Sequence, residues 1–102
     1  MYGSSIGGGS CNTISSYSAN YNSYGNTIAG GTCNTTVSSY YNGQTIGGGR
    51  NNITLADGST VSGGIQNTSS GIQSFIGGGG FNTSIGNCST IGGGRNNTSS
   101  NY

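Results

Sequence analysis

Residues 76–90 read IGGGGFNTSIGNCST, and residues 91–97 start the same phrase again as IGGGRNN. Working outward, the phrase recurs six times: a β-branched residue, a pair of glycines close behind it, and asparagine six positions on. The copies run Ile6 to Asn12, Ile28 to Asn34, Ile46 to Asn52, Val61 to Asn67, Ile76 to Asn82 and Ile91 to Asn97. Their starts lie 22, 18, 15, 15 and 15 residues apart, so length varies only after the asparagine. A strict phase combined with an elastic remainder is the signature of a solenoid, in which each repeat is one coil of a stack.

Fifteen residues are too few for the helical hairpin repeats of 33 or 34 residues. Glycine runs with abundant Ser, Thr and Asn also disfavour helix. The pattern predicts an all-β parallel β-roll with two short strands per coil. One strand precedes the glycines, as in Thr27-Ile28, Thr45-Ile46, Thr60-Val61 and Thr90-Ile91. The other follows the asparagine: Thr13-Ile14, Thr35 to Val37, Ile53-Thr54, Thr68-Ser69 and Thr83 to Ile85. Coils about 4.8 Å apart would give a stack of roughly 30 Å.

The phased Ile and Val residues form a thin apolar seam, and the glycines beside it let backbones approach closely. Asparagine suits a turn because it tolerates left-handed geometry, and stacked asparagines can form a hydrogen-bonded ladder. Other apolar residues (Ile14, Val37, Ile53, Ile65, Ile72, Ile85) drift in phase and do not complete the seam. One seam is a small core for a single chain. Several chains sharing one interior, as a homotrimer, is the expectation.

Gly, Ser, Asn and Thr supply roughly two-thirds of the 102 residues. Without the repeat such a composition reads as disorder. Charge is confined to Arg50, Arg95 and Asp57, for a net +1. That is no footprint for nucleic acid, which needs clustered Lys and Arg. No apolar stretch is long enough to insert into a bilayer. Residues 1–5 fill the slot before Ile6 that residues 71–75 fill before Ile76, and residues 95–102 stop partway through a repeat. Residues 1–102 therefore read as a single repeat domain excerpted from a longer fibre.

The phrase Thr-Ile-Gly-Gly-Gly-x-x-Asn-Thr-x-Ser resembles the head repeats of trimeric autotransporter adhesins (YadA-type), and related repeats in phage and viral fibre proteins. The likeness spans essentially the whole chain. It departs in a period of fifteen, in asparagine where a small alanine is expected, and in two lengthened repeats. The resemblance implies a three-chain β-roll on a bacterial or virion surface.

Catalysis has few candidates. Histidine and glutamate are absent, and the lone Asp57 sits in an Ala-Asp-Gly turn. The repeated Ile-Gly-Gly-Gly-Arg-Asn-Asn (46–52 and 91–97) lacks the Lys-Ser/Thr ending of a phosphate loop. One aspartate cannot serve a calcium-binding roll, and three thiols without Cys-x-x-Cys spacing make a poor metal site. No metal, cofactor or enzymatic activity is expected.

Cys11 and Cys33 share a phase five residues after their isoleucines, so stacking brings them within disulfide range. They form either a disulfide or a ladder of small buried thiols. Asn-x-Ser/Thr sequons occur at Asn34, Asn52, Asn67, Asn82, Asn87, Asn96 and Asn97, a number that composition alone explains. Tyr17, Tyr21, Tyr24, Tyr40 and Tyr41 lie in the two swollen repeats. Tyrosine among Ser, Asn and Gly is the chemistry of recognition loops, so these five are the candidate binding residues. The alternative is that they pack over the seam.

The expected function is a non-enzymatic structural and adhesive fibre segment on a virion or cell surface. Its partners would be its own copies, other fibre or virion proteins, and a host glycan or receptor. Two alternatives remain: a self-polymerising extracellular filament subunit, and an ice-binding solenoid using the column Thr27, Thr45, Thr60 and Thr90, which Ser5 and Phe75 interrupt.

Overall fold

The computed structural model describes residues 3–16, 25–38 and 43–100. Twelve short strands alternate between two parallel sheets. The first sheet stacks β1 (Ser5–Ile6), β3 (Thr27–Ile28), β5 (Thr45–Ile46), β7 (Thr60–Val61), β9 (Phe75–Ile76) and β11 (Thr90–Ile91). The second stacks β2 (Thr13–Ser16), β4 (Thr35–Ser38), β6 (Ile53–Thr54), β8 (Thr68–Ser69), β10 (Thr83–Ser84) and β12 (Thr98–Ser99). The chain crosses to the opposite sheet after every strand and returns one layer further on. This is a parallel β-solenoid, with both strands of each coil where the repeat places them.

Register does not slip. Ile6, Ile28, Ile46, Val61, Ile76 and Ile91 pair in one continuous row. A third, narrower ladder of isolated bridges runs along the corner between the sheets through Ser10, Thr32, Arg50, Ile65, Gly80 and Arg95. The molecule measures 33 × 29 × 16 Å, the scale of six layers at about 4.8 Å.

Four side chains per coil point inward. Ile28, Ile46, Val61 and Ile76 are fully buried and Ile91 nearly so, while Ile6 on the first coil is 44% exposed. Beside them lie Asn34, Asn52, Asn67 and Asn82, also fully buried. The remaining two columns are polar or small: Asn26, Gln44, Ser59, Ser74 and Ser89 two residues before the seam, and Thr36, Thr54, Ser69 and Ser84 eight residues after it. Ile14 occupies the first place in that last column and belongs to the core. Its apparent drift in sequence reflects a second inward position, which later coils fill with Thr or Ser.

From Ile28 to Ile91 a single chain covers its own seam, while Ile6 on the first coil stays largely open. The expectation that several chains share one interior counted only the apolar residues. Hydrogen bonding supplies most of the rest, with the buried Thr36 hydroxyl left without a partner among the described residues. In the three described coils that join through a short turn, Ser59, Ser74 and Ser89 hydroxyls donate to Ala56, Gly71 and Gly86 carbonyls. Ser69 and Ser74 share a hydrogen bond of 2.5 Å, as do Ser84 and Ser89. Where three more residues are inserted, a longer side chain spans the gap. Gln44 Nε2 donates to the Val37 carbonyl at 2.7 Å, and its Oε1 accepts from Thr54 Oγ1 at 2.8 Å.

Candidate functional site

The asparagine column does the most specific work in the molecule. Asn52 Nδ2 donates to the Gly48 carbonyl of its own coil and to the Gly64 carbonyl of the next, both at 2.9 Å. Asn52 Oδ1 accepts the backbone N–H of Asn67 at 3.0 Å. The same three bonds recur from Asn12, Asn34, Asn67 and Asn82. Asn97 keeps the bond within its own coil. The ladder therefore runs from side chain to backbone, and its amides do not pair with one another. No other side chain of similar size offers two donors and an acceptor in this arrangement.

A left-handed residue stands immediately before the asparagine in each coil, and Gln73 and Cys88 adopt the same conformation in the far turn. Cys11, Cys33, Asn51, Gln66, Phe81 and Asn96 have φ between 54 and 63°. This conformation is uncommon outside glycine. Each backbone N–H from Cys33 onward donates to the preceding coil's corner carbonyl, for instance Gln66 to Arg50 at 2.9 Å. That turn directs the next side chain inward. Among the four sequons on Asn34, Asn52, Asn67 and Asn82, none is available to a glycan, because each amide is buried in the ladder.

Gly64 illustrates what the glycines do. Its φ is 91°, and a Cβ there would run into the Gly79 backbone with N only 2.9 Å away. Its neighbour Gly63 has open space around the same position.

Cys11 and Cys33 stack at the left-handed position, with Cys33 N–H donating to the Ser10 carbonyl at 2.9 Å. Both are free thiols, Cys11 exposed and Cys33 half-buried, so they lie on the outside of the corner rather than in the core. A hydrogen bond to the Cys11 side chain, reinforced by partial burial and by the charge of Cys11, raises Cys33 above the ordinary thiol range. Cys88 sits on the far turn, 3.6 Å from Gln73 Oε1.

The outer faces carry repeated columns. Thr27, Thr45, Thr60 and Thr90 stand in register on the first sheet, with Ser5 and Phe75 in the same row. A second threonine row, Thr13, Thr35, Thr68, Thr83 and Thr98, stands on the other sheet with Ile53 as its one exception. Sequence inspection had the members of this second row without recognising it as an array. Exposed apolar side chains cluster elsewhere: Leu55, Ile72 and Ile85 beside the far turn, Ile65 and Phe81 on the corner. The guanidinium of Arg95 lies 5.4 Å from the Phe81 ring centroid.

Asp57 lies in the far turn, its carbonyl accepting from Gln73 N–H at 2.9 Å. Among the described residues no three His, Cys, Asp or Glu side chains gather as a metal site, and no helix is long and apolar enough to cross a membrane. Tyr17, Tyr21, Tyr24, Tyr40 and Tyr41 lie outside the described residues. The class is a polar-cored parallel β-solenoid. No protein-family model, no curated protein and no solved structure matches the chain.

Proposed function

We propose that the chain is a length of surface fibre, a structural and adhesive module without catalytic activity, carried on a virion or on the outside of a cell. The observation that supports this most is the asparagine ladder, which passes hydrogen bonds through every coil and makes each layer a template for the next. Such a stack can be lengthened without a new design, and its inward chemistry is spent on rigidity. Adhesion falls to the outer columns and the swollen repeats with their five tyrosines.

Assembly into a homotrimer would use outer faces, since each chain fills its own interior. Leu55, Ile72 and Ile85, exposed beside the far turn, offer one apolar surface for it. The near absence of charge removes the repulsion that keeps proteins apart.

Light scattering across a range of concentrations, paired with binding to host surfaces, tests this function. One mass three times that of the chain is expected, together with adhesion that Tyr17→Ser, Tyr21→Ser and Tyr24→Ser weaken while circular dichroism is unchanged. A mass that grows with concentration favours a self-polymerising filament instead.

The second threonine row supports ice binding as another use of the same scaffold, because five of its six positions present a hydroxyl in one register. Thermal hysteresis in the wild-type protein, abolished by Thr68→Lys, would favour that use.

A further inference from the structure

The only two side-chain cations of the chain, Arg50 and Arg95, occupy equivalent places on the same corner of the solenoid. Both are exposed, and each is followed by an exposed left-handed asparagine, Asn51 or Asn96. The repeated Ile-Gly-Gly-Gly-Arg-Asn-Asn phrase therefore builds one local arrangement twice. The copies are three coils apart, about 14 Å along the rod. Between them the corner presents Ile65 and Phe81, both over 40% exposed, with the amide of Gln66. Gly80 leaves a gap in the column, since it carries no side chain where Ser10, Thr32, Arg50, Ile65 and Arg95 do. The one acidic side chain, Asp57, lies in the turn on the other side of the two sheets.

We infer that this corner, from Arg50 to Arg95, is a binding site for a linear glycan bearing carboxylate groups, laid along the rod axis. The inference deepens the adhesive function proposed above and rests on it. Each guanidinium pairs with a carboxylate through charge-assisted hydrogen bonds, the geometry for which arginine is best suited. The amides of Asn51, Gln66 and Asn96 both donate and accept, which matches sugar hydroxyls. Phe81 and Ile65 supply an apolar floor for the C–H face of a sugar ring. Arg95 over the Phe81 ring is held in place by its cation–π contact, so one end of the site is preorganised. Two cations on an otherwise neutral surface give weak binding per chain, which a fibre of many copies multiplies.

Binding of the full chain to immobilised hyaluronate, with dextran as the neutral control, tests the site. Retention on hyaluronate and not on dextran is expected, decreasing as salt screens the exposed charges. Arg50→Gln with Arg95→Gln should lower affinity about tenfold with no change in circular dichroism. A charge-preserving variant separates a site from loose attraction: Arg95→Gln with Gly80→Arg moves the second cation one coil closer. Position 80 accepts a side chain, because a Cβ there meets only the Ile65 carbonyl at 3.7 Å. This variant should bind as poorly as Arg95→Gln alone. Equal binding by the shifted variant and the wild type, or no retention of the wild type on hyaluronate, overturns the site. Adhesion to host surfaces that survives loss of both arginines overturns this corner while leaving the fibre function standing.

Discussion

The backbone N–H of Asn67 donates to the side-chain oxygen of Asn52, fifteen residues earlier and one coil below, at 3.0 Å. Both residues are fully buried. Because Asn52 also donates to the Gly48 and Gly64 carbonyls, one side chain ties its own turn shut and fastens the next layer.

Removing that side chain in mid-stack is therefore costly. Asn67→Ala leaves the carbonyls of Gly63 and Gly79 and the N–H of Asn82 without these partners. The Gly79 carbonyl keeps its bond from the Ile65 N–H, so the cost falls on the Gly63 carbonyl and the Asn82 N–H. At roughly 1–3 kcal/mol for each group left unsatisfied, the loss is about 2–6 kcal/mol, a large part of a domain's stability. Asn67→Asp should be at least as damaging, since it removes both donors and buries a charge. Thermal melts followed by circular dichroism should show both variants unfolded or far less stable than the wild type; a melting point within a few degrees of wild type would disprove the role assigned to the ladder.

Adjacent glycines should behave in opposite ways. Gly64→Ala forces a Cβ into the backbone of the neighbouring coil at a left-handed φ, whereas Gly63→Ala meets open space. The first should abolish cooperative folding, and the second should cost no more than about 1 kcal/mol. Denaturant titrations of the two variants side by side check this.

The isoleucine seam supplies a third contrast. Ile46 is fully buried and Ile6 is 44% exposed at the end of the row. Ile46→Ala should cost about 2–5 kcal/mol, as cavity-forming core substitutions do, and Ile6→Ala much less. Equal effects would mean that the seam is not the continuous core described here.

Cys11 and Cys33 stand in successive layers, with Cys33 raised above the ordinary thiol range by its hydrogen bond to Cys11. Cys33 should therefore alkylate slowly near neutrality and faster as pH rises, because the thiolate is the reactive form. Oxidation should join these two and leave Cys88, on the opposite turn, as a free thiol. Peptide mapping with and without reductant reads the pairing directly, and a Cys11 or Cys33 linkage to Cys88 would contradict the layer assignment.

Much of this architecture was legible in the sequence, because strict phase exposes a coil even in a chain of small polar residues. The strands, the parallel stacking and the Ile/Val row follow from the six copies alone. Three features were not legible. Ser, Thr and Asn are so common that the inward columns at Asn26, Gln44, Ser59, Ser74 and Ser89, and at Thr36, Thr54, Ser69 and Ser84, do not stand out. Their fixed offset from the seam was the available signal. The left-handed turn was assigned to the phased asparagine, although it falls on Cys, Asn, Gln or Phe one place earlier. The corner carrying Arg50 and Arg95 went unnoticed because its two cations are 45 residues apart in the chain and only three layers apart in the fold.

Hydrogen exchange of the asparagine side-chain amides, resolved by NMR, tests the ladder most directly. The NH2 protons of Asn34, Asn52, Asn67 and Asn82 should exchange as slowly as the central strand amides, while those of exposed Asn51 and Asn96 should exchange at once. Fast exchange at all six would show that the interior asparagines hold nothing together, and the account of this solenoid would fail with them.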